Sequence, residues 1–523
     1  MFTTLRHVFH LARAGYVLVR EGVFATIDPA FLPPPARLPL LVARLLARRS
    51  HAGAAERIAA ALQRLGPSYV KFGQFLATRP DVVGTRLARD LEKLQDRMPS
   101  FSQIIAVKVV EATFEKPLDS IFESFSVPVA AASIAQVHKA RIVGDAAGEE
   151  VAVKILRPNV QRLFKRDLDL FYFAARAAER FLPAAQRLRP VEIVDVLARS
   201  VAMEMDLRLE AAALSEMAEN TRNDSGFIVP QPNWELTGRD VLTMQWIDGI
   251  PLSDLAGLRA AGLDLPALGR SVIQSFLRQA LRDGFFHADM HQGNLFANRA
   301  GELVAVDFGI MGRIGPKERR FLAEILLGFI TRDYHRVAEV HFEAGYVPAR
   351  HSVEDFAQAI RAIGEPIHQK TADQISMAKL LTLLFEITEL FDMKTRPELV
   401  MLQKTMVVVE GVARTLDTRL DMWSTAEPVV REWIERNLGP LGRLQETGGD
   451  LLAISRHALK LPALLERGER VMRNLEAASN DGFQLSAGSI EALGRAEARR
   501  ARWSNLALWL IAFALITIAW RLI

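Results

Sequence analysis

Two nearby segments decide the fold: FFHADMHQGNLF (residues 285–296) and VDFG (residues 306–309). Asp289 precedes Asn294 by five residues, and Asp307 follows Asn294 by thirteen. In this order the first aspartate can accept a proton, and the asparagine and second aspartate offer the hard oxygen ligands that Mg²⁺ prefers. The two segments therefore predict a magnesium-nucleotide site.

Three upstream segments supply the other parts of a nucleotide site. VAVK, which ends at Lys154, predicts a lysine on a strand that neutralises the α- and β-phosphates. MEMDLRLEAA (203–212) predicts a helix, and its Glu210 is the candidate carboxylate that holds this lysine. AAASIAQVH (130–138) predicts a turn that faces a phosphate. Each segment is a weak signal alone, but their common order is specific.

The sequence periodicity predicts both strands and helices. VAVKIL (151–156) predicts a strand, and a strand pair is predicted within 226–248. Two apolar runs at 295–296 and 303–306 are parted by a short polar loop and predict a hairpin. Helices are predicted over segments 50–115, 160–187, 264–284 and 406–417, and over most of the chain after 316.

The composition excludes several classes of protein. The chain has 523 residues, with apolar and charged fractions of 50% and 24%, which is typical of a folded, multi-unit protein. Lys plus Arg is 65 and Asp plus Glu is 61, so the net charge of +4 indicates no nucleic-acid partner. The absence of cysteine excludes disulfides, thiolate metal sites and cysteine nucleophiles.

A transition-metal site is an alternative chemistry for the same loop. His287, Asp289 and His291 form an H-x-D-x-H pattern that could bind zinc or iron through the imidazoles. This alternative leaves Lys154 and Glu210 without a role, and three such residues on one short loop point in different directions. The magnesium-nucleotide interpretation is therefore favoured.

Together these segments resemble the UbiB/ABC-one family of atypical protein-kinase-like proteins over roughly residues 40–440. The K-x-G-Q, Ala-rich-loop and VAVK motifs of that family match here as Lys71, Gly73, Gln74, Ala130, Ala131, Ala132, Ser133 and Lys154. Its E-x-D, helix-C, H-x-D-x-H-x-G-N and DFG motifs match as Glu204, Asp206, Glu210, His287, Asp289, His291, Gly293, Asn294, Asp307, Phe308 and Gly309. The resemblance implies an α+β, atypical protein-kinase-like bilobal fold whose N-terminal helical extension lies over the active site. It also implies ATP hydrolysis and a place in ubiquinone biosynthesis.

The expected roles of these residues follow from the site chemistry and the resemblance. Asp289, Lys154 and Glu210 are expected to be catalytic, and Asn294 and Asp307 are expected to bind Mg²⁺. The predicted ATP contacts are Ala130, Ala131, Ala132, Ser133, Lys154 and Met244.

The K-x-G-Q helix is predicted to act as a gate over this site. Lys71 is expected to pack over the nucleotide and to pair with Glu204, which would exclude peptide substrates. Gln74 and Asp206 are the other predicted gating residues. The alternative is a solvated helix face whose incidental ion pair contributes under about 1 kcal/mol.

Three features depart from an ordinary protein kinase. Ala130 to Ala132 replace the Gly-rich loop, and because a positive φ is costly for alanine the loop is predicted to be more restricted. Ala288 stands where ordinary kinases have the arginine that grips an activation-loop phosphate. Only residues 310–315 separate Gly309 from Pro316, which leaves no room for a conventional activation loop. Phosphorylation of peptides in trans is therefore disfavoured.

The C-terminal residues 503–523 are apolar and predict a transmembrane helix of roughly 30 Å. Trp503 and Trp520 lie near its two edges, where aromatic belts sit, and arginines crowd the preceding side. The predicted location is thus the bacterial cytoplasmic (inner) membrane, with the main body cytoplasmic. A buried helix and an interfacial anchor are the alternatives. Members of the family commonly end in two spans, and only one is predicted here.

The N-terminal apolar residues recur at helical spacing opposite basic ones. This pattern favours an amphipathic docking helix, with a mitochondrial presequence as the minor alternative. The predicted domains are an N-terminal helix and Pro-rich linker (1–39, the linker over 28–38), a helical K-x-G-Q extension (40–118), an N-lobe (119–250), a C-lobe (251–440), a helical juxtamembrane region (441–502) and the transmembrane helix (503–523).

The favoured function is that of a membrane-anchored atypical kinase or ATPase that hydrolyses Mg-ATP in support of ubiquinone biosynthesis. Expected partners besides ATP are membrane lipids, polyprenyl-phenol quinone precursors and other ubiquinone biosynthesis enzymes. A 2-polyprenylphenol 6-hydroxylase component is an alternative, but the chain has no G-x-G-x-x-G for a flavin and no cysteine ligand for iron. A nucleotide-binding pseudokinase scaffold is the other alternative.

Overall fold

The computed structural model describes residues 2–26, 34–48, 53–77, 83, 87, 90–91, 99–144, 148–181, 189–367, 387, 390–393 and 397–438. Contacts within the chain define two compact units, Met1–Ile434 and Glu435–Ile523. Of the second unit only Glu435 to Leu438, the end of a helix, is described. The predicted juxtamembrane region and transmembrane helix lie outside the described residues. Within the described part of the chain no helix is both long and apolar enough to cross a membrane.

Among the described residues, the N-terminal extension includes the helices α1 (Phe2–Arg20), α2 (Pro34–Leu46), α3 (Ala54–Leu65) and α4 (Pro67–Ala77). Pro34 and Pro67 each open a helix, where the missing N–H of proline breaks no hydrogen bond. The prediction of a linker over residues 28–38 was therefore wrong from Pro34 onwards. Buried Ile58, Leu62 and Val70 hold α3 against α4.

The N-lobe is built on a five-stranded antiparallel sheet preceded by α5 (Gln103–Phe114). Its strands are β1 (Phe122–Ala131), β2 (Ala135–Ile142), β3 (Glu150–Leu156), β5 (Pro232–Thr237) and β6 (Val241–Gln245), in the spatial order β1-β2-β3-β6-β5. The predicted VAVKIL strand is thus β3, and the predicted pair within 226–248 is β5 with β6. β3 lies at the centre of the sheet and is buried from Val151 to Leu156.

Between β3 and β5 the described residues include the helices α6 (Val160–Phe181), α7 (Pro190–Glu204) and α8 (Leu207–Asn220). The prediction of one helix over residues 203–212 was wrong, because the chain leaves the helix after Glu204 and starts a new one at Leu207. Asp206 is the N-cap of α8, and its carboxylate accepts a hydrogen bond from the backbone N–H of Arg208.

The C-lobe combines helices with two small sheets. A four-stranded sheet contains, in spatial order, β4 (Phe227–Ile228), β10 (Leu303–Ala305), β9 (Leu295–Ala297) and β7 (Ile250–Pro251). A two-stranded ladder joins β11 (Met311–Arg313) to β8 (Phe285–His287). The predicted hairpin is confirmed, because Leu303 pairs antiparallel with Ala297. The helical elements between these strands are α9 (Leu255–Ala260), α10 (Leu265–Arg278) and a π-helical turn (Gln279–Asp283).

Helices follow directly after β11. They are α11 (Pro316–Thr331), α12 (Tyr334–Glu343), α13 (Val353–Ile367), α14 (Pro397–Leu416) and α15 (Met422–Leu438). Met311 pairs with His287, so the chain after Gly309 turns straight back along β8 and enters α11 at Pro316. This course confirms the predicted absence of a conventional activation loop between Gly309 and Pro316.

Candidate functional site

The site is centred on the ammonium group of Lys154, which lies between two carboxylates. Lys154 projects from β3, Glu210 from the first turn of α8, and Asp307 from the segment after β10. The Nζ atom of Lys154 donates to Oε1 of Glu210 at 2.7 Å and to Oδ1 of Asp307 at 2.9 Å. The predicted pairing of Lys154 with Glu210 is thus present, whereas its contact with Asp307 was not predicted. The roles of all three residues in catalysis stay predictions.

Burial and charge act in opposite directions on these groups. Burial lowers the pKa of Lys154, but the carboxylates of Asp307 and Glu210 raise it above its ordinary value. Burial also raises the pKa of Asp307, but the ammonium of Lys154, with further contributions from Lys71 and His287, holds it well below the usual range. At Glu210 burial prevails over the attraction of Lys154 and raises the pKa to about 7. Asp307 is thus ionised at neutral pH, while Glu210 titrates there.

Asp307 has a left-handed backbone conformation, with φ at 64°. This conformation is uncommon for residues other than glycine, although aspartate and asparagine tolerate it better than most. Its side chain remains 43% exposed despite the contact with Lys154. An ionised, partly exposed carboxylate beside the lysine that is expected to bind phosphate has the charge and the oxygen chemistry that fit Mg²⁺.

The predicted catalytic loop is held in place by its own backbone. The side-chain amide nitrogen of Asn294 donates to the carbonyl oxygen of Asp289 at 3.1 Å. The backbone N–H of Val306 donates to the carbonyl oxygen of Asn294 at 2.9 Å, which ties this loop to the segment that carries Asp307. These bonds bring the predicted base and both predicted metal ligands into one region.

Both ring nitrogens of His287 are engaged with the backbone. Nδ1 accepts from the N–H of Asp289 at 3.1 Å, so the proton lies on Nε2, which donates to the carbonyl oxygen of Val306 at 3.2 Å. Burial lowers the pKa of His287, which keeps the ring neutral. No group of three His, Cys, Asp or Glu suited to a metal occurs among the described residues. The transition-metal alternative for H-x-D-x-H therefore has no support from this geometry.

The K-x-G-Q helix α4 brings a second lysine to the site. The Nζ atom of Lys71 lies 2.6 Å from Oε2 of Glu204, and each side chain is only 12% exposed. The positive charge of Lys71 also helps to lower the pKa of Asp307, so it acts directly on the DFG aspartate. The predicted pair of Lys71 with Glu204 is thus present, whereas its role as a gate stays a prediction.

Aromatic contacts dock α4 onto α6. The ring of Phe72 stacks on Phe171 with centroids 4.7 Å apart, and Tyr69 meets the same ring edge-on at 5.1 Å. Gln74 lies half-buried on α4, one turn after Lys71. Phe72 directly follows Lys71, so the apolar packing of α4 on α6 also fixes the position of Lys71.

Asp206, the remaining predicted gating residue, is engaged locally. Its carboxylate forms two hydrogen bonds with the guanidinium of Arg208, at 2.9 and 2.7 Å. Hydrogen bonding to Arg208 lowers its pKa, which keeps it charged. The structure thus explains Asp206 as the cap that starts α8 and so sets the position of Glu210 one turn later.

Ala130 and Ala131 form the end of β1, where they pair with Val137 and Gln136 of β2, so the chain turns only over residues 132–134. The N–H of Ala132 donates to the carbonyl oxygen of Ala135 at 2.8 Å, and the guanidinium of Arg157 donates to the carbonyl oxygen of Ala132 at 2.8 and 3.1 Å. None of Ala130 to Ala132 has a positive φ, so the predicted conformational cost of alanine is wrong. The turn is restrained by hydrogen bonds instead. Ser133, within this turn, is fully buried.

Met244 shares a face of the sheet with the site lysine. Met244 pairs with Ala152 across β6 and β3, and Ala152 precedes Lys154 by two residues. Side chains two apart on a strand, and those of directly paired residues, lie on the same face. Met244 therefore lies on the same face of the sheet as Lys154, and its contact with a nucleotide stays a prediction.

Sequence reasoning missed the role of Gln136 and His138 in the segment AAASIAQVH. Gln136 accepts from the N–H of Phe101 at 2.9 Å and lies 2.9 Å from Nε2 of His138. The Nδ1 atom of His138 lies 2.8 Å from the carbonyl oxygen of Ser126. Both side chains are buried, and they join the chain before α5 to the β1–β2 hairpin. The uncommon sequence Gln-x-His within an apolar strand was the available signal.

Thr405 was also missed, and no local signal could have found it. Its hydroxyl lies in α14, 1% exposed, 3.1 Å from the carbonyl oxygen of Ala288 and 2.9 Å from that of Met401. Ala288 stands beside the predicted base Asp289. A helix more than a hundred residues later in the chain thus supports the catalytic loop at the position where ordinary kinases have an arginine.

Thr405→Val should lower the rate of ATP turnover about tenfold with little change in KM for ATP. The valine fills the same space but cannot donate to Ala288, and a lost buried hydrogen bond costs about 1–3 kcal/mol. Steady-state kinetics and thermal unfolding of the purified variant measure both effects.

Thr415→Val is the matched control, because the hydroxyl of Thr415 on the same helix bonds only within α14, to Val412 at 2.7 Å. Thr405→Ser should restore turnover. Equal turnover in the Thr405→Val and Thr415→Val variants would show that the contact does not position the loop.

The strand lysine bound to a helix carboxylate, the D-x-x-x-x-N loop and the DFG aspartate define an atypical protein-kinase-like protein. Residues 93–341 match the ABC1 atypical kinase-like domain, and residues 360–421 match the UbiB helical domain. The chain is 36% identical over 469 residues to the probable protein kinase UbiB of Marinobacter nauticus, covering 88% of this chain and 85% of that protein. The chain therefore belongs to the UbiB family of ABC1 atypical kinase-like proteins.

The fold is also similar to that of a solved structure. The complex of Rv3197 with erythromycin, from Mycobacterium tuberculosis, has a TM-score of 0.50 at 24% identity, with 72% of this chain and 95% of that chain covered. At this level of identity the similarity supports the shared fold alone.

Proposed function

We propose that the protein is an atypical kinase-like ATPase that hydrolyses Mg-ATP in support of ubiquinone biosynthesis. The observation that carries the proposal is the ammonium of Lys154 held between Glu210 and Asp307, with Lys71 close enough to act on Asp307. Two lysine charges converge beside an ionised carboxylate, which is the electrostatic setting that a bound Mg-triphosphate requires.

Each residue has a role that its surroundings support. Lys154 neutralises the α- and β-phosphates, and Glu210 orients it, because Glu210 is buried and 2.7 Å from its Nζ atom. Asp307 and Asn294 would hold Mg²⁺, which when bound neutralises charge on the transferred phosphate. Asp289, 39% exposed in its side chain, accepts the proton of the attacking hydroxyl or water.

Water, or a small acceptor, suits this site better than a peptide. The chain passes from Gly309 through β11 into α11 without a platform for a peptide. Helix α4 also holds Lys71 against Glu204 near the site. We therefore expect phosphate release rather than phosphorylation of a protein in trans. The substrates that the ATPase serves would be lipid precursors of the polyprenyl-phenol type or the enzymes that process them.

We further propose that residues 503–523 anchor the protein in the bacterial cytoplasmic membrane with the main body in the cytoplasm. Their apolar sequence and the arginines before them support this arrangement. Removal of residues 503–523 should leave a protein that high salt extracts from membranes, because salt weakens any remaining ionic contact with headgroups, while nucleotide binding is retained.

The proposal is tested by phosphate release from ATP by the purified full chain, with and without Mg²⁺, anionic liposomes and a phenol-type quinone precursor. Mg-dependent release that rises with lipid or precursor supports it. Tight ATP binding without release would favour the pseudokinase scaffold, and a bound flavin would favour the hydroxylase component.

Lys71→Met should lower turnover about tenfold, because it removes a positive charge beside Asp307 where the phosphates are expected to bind. The stability loss should be about 1–3 kcal/mol, since Glu204 is left without its ammonium partner in a mostly buried position. In the double variant with Glu204→Gln the effects on stability should be smaller than additive.

Arg64→Met is the control for that pair, because Arg64 bonds to Glu21 at 2.6 Å within the same N-terminal helices. It should change neither turnover nor KM for ATP. The idea of a covered site fails when Lys71→Met and Arg64→Met give the same kinetics.

A further inference from the structure

The helix α2 exposes an apolar face. Leu41, Val42, Leu45 and Leu46 are 52%, 49%, 85% and 55% exposed. Their spacing of i, i+1, i+4 and i+5 places them in two adjacent rows on one side of the helix. Leu40 is only 5% exposed, so another side of α2 packs into the extension. The four exposed residues are called here the apolar face of α2.

The neighbouring helix α1 has a similar exposed stripe. Phe9 and Tyr16, two turns apart, are 68% and 63% exposed, and Arg13 lies between them on the same side. Ala14, on the opposite side of α1, is buried. α1 contacts α2, so the aromatic stripe and the apolar face of α2 belong to one part of the molecule.

The charge around these two faces is strongly positive. Residues 2–26 and 34–48 contain six arginines and one carboxylate, that of Glu21. Glu21 is itself paired with Arg64 at 2.6 Å and lies 4.0 Å from Arg48. The arginines are Arg6, Arg13, Arg20, Arg37, Arg44 and Arg48.

We propose that α1 and α2 form a membrane-binding surface, in which the apolar face of α2 enters the acyl region of an anionic membrane. Aliphatic side chains, flanking aromatic rings and arginines are the composition of helices that lie in a membrane interface. Phe9 and Tyr16 lie at headgroup depth, and Arg13 and Arg20 bind the anionic headgroups. This surface consists of residues other than those of the nucleotide site and of the predicted span at 503–523.

An anionic membrane fits this surface better than a second copy of the chain. Two copies facing each other would bring the exposed Arg13, Arg20 and Arg48 of each copy together, and the only carboxylate of the described segments that opposes them in each copy is that of Glu21. Like charges in a shared interface repel, whereas anionic headgroups neutralise them. Shallow insertion also needs no partner of matching shape, which suits an aliphatic face without hydrogen-bonding groups.

The test uses the natural absence of cysteine, which allows a single probe to be placed on the full chain. Leu45→Cys is labelled with an environment-sensitive fluorophore, and the protein is reconstituted into phosphatidylglycerol vesicles that contain brominated acyl chains. We expect quenching at least about threefold stronger than for a probe at Ile104→Cys, which is 72% exposed on α5. Because the probe reports its own depth, anchoring by another part of the chain does not imitate the result.

Three measurements keep the outcome clear. ATP binding by each labelled protein confirms the fold, and Leu41→Cys serves as a second probe position on the apolar face of α2. Replacing Arg13 and Arg20 by Gln should weaken the quenching in anionic vesicles. Equal lipid quenching at Leu45→Cys and Ile104→Cys would overturn the proposal. Probe shielding that occurs in detergent and rises with protein concentration would overturn it in favour of a second copy.

Discussion

Asp307→Asn should reduce ATP turnover by about 100-fold or more while the protein stays folded. The Asp307 side chain is 43% exposed. Its carboxylate is ionised because the ammonium of Lys154, 2.9 Å from Oδ1, lowers its pKa more than partial burial raises it. An amide of the same shape keeps an oxygen there but removes the negative charge that would hold Mg²⁺.

Stability should change little in this variant, for two structural reasons. Asp307 has a left-handed backbone with φ at 64°, a conformation that asparagine adopts readily. Lys154 retains Glu210 as a partner at 2.7 Å. Turnover, Mg-dependent ATP binding and thermal unfolding should be measured on the same preparation.

Asp254→Asn provides the matched control. Asp254 is the N-cap of α9, where its carboxylate accepts from the N–H of Gly257 at 2.9 Å, and asparagine caps a helix equally well. This variant should have ordinary turnover. If Asp307→Asn retains full ATPase activity, the kinase-like assignment of the site is wrong.

Lys154→Met should have the largest effect on stability, a loss of about 3–5 kcal/mol in the free energy of unfolding at neutral to alkaline pH. Lys154 and Glu210 are each 8% exposed, so the substitution leaves the carboxylate of Glu210 buried without its counter-charge. Turnover should be lost as well, because the strand lysine is the predicted phosphate ligand.

This loss should depend on pH in a defined direction. In the folded protein burial raises the pKa of Glu210 to about 7, above its ordinary value of 4.5, and removing Lys154 removes a charge that lowers it. A carboxyl whose folded pKa is raised binds more protons when folded, so its stability contribution is present at low pH and is lost as pH rises through the folded pKa. The free energy of unfolding of Lys154→Met should therefore be closest to that of the natural protein near about pH 5, and the difference should be largest above about pH 8.

The double variant Lys154→Met with Glu210→Gln supplies the control for this assignment. An uncharged side chain at position 210 removes the buried titrating group, so most of the additional pH dependence should disappear. Denaturant unfolding at a series of pH values measures both proteins. A pH dependence that persists in the double variant would assign it to another group.

The motifs predicted the centre of the site because each carries its partner implicitly. A lysine in VAVK requires a carboxylate to hold it, and Glu210 was the candidate among the three acidic residues of MEMDLRLEAA. The contact of Lys154 with Glu210 agrees with that prediction. The short path from Gly309 to Pro316 was equally readable, since a six-residue connection cannot form a large loop.

Helix propensity gave a wrong prediction for residues 203–212, where contacts with distant residues determine the backbone conformation. MEMDLRLEAA consists of good helix formers, so residues 203–212 read as one helix. In the structure the N–H of Leu207 donates to the carbonyl oxygen of Arg239, in the turn before β6, and the helix is interrupted there. The break lets Glu204 face Lys71 while Glu210 faces Lys154.

The sequence by itself determined the kind of site, the family, the VAVKIL strand and the hairpin over residues 295–306, because motif spacing and apolar periodicity are local properties of the chain. Tertiary structure alone decided which distant groups support that site. The contact of Thr405 with Ala288 and the stacking of Phe72 on Phe171 each join segments that are far apart in the chain. Such contacts depend on how whole elements pack, and packing is set by the combined surfaces of many residues rather than by any short segment.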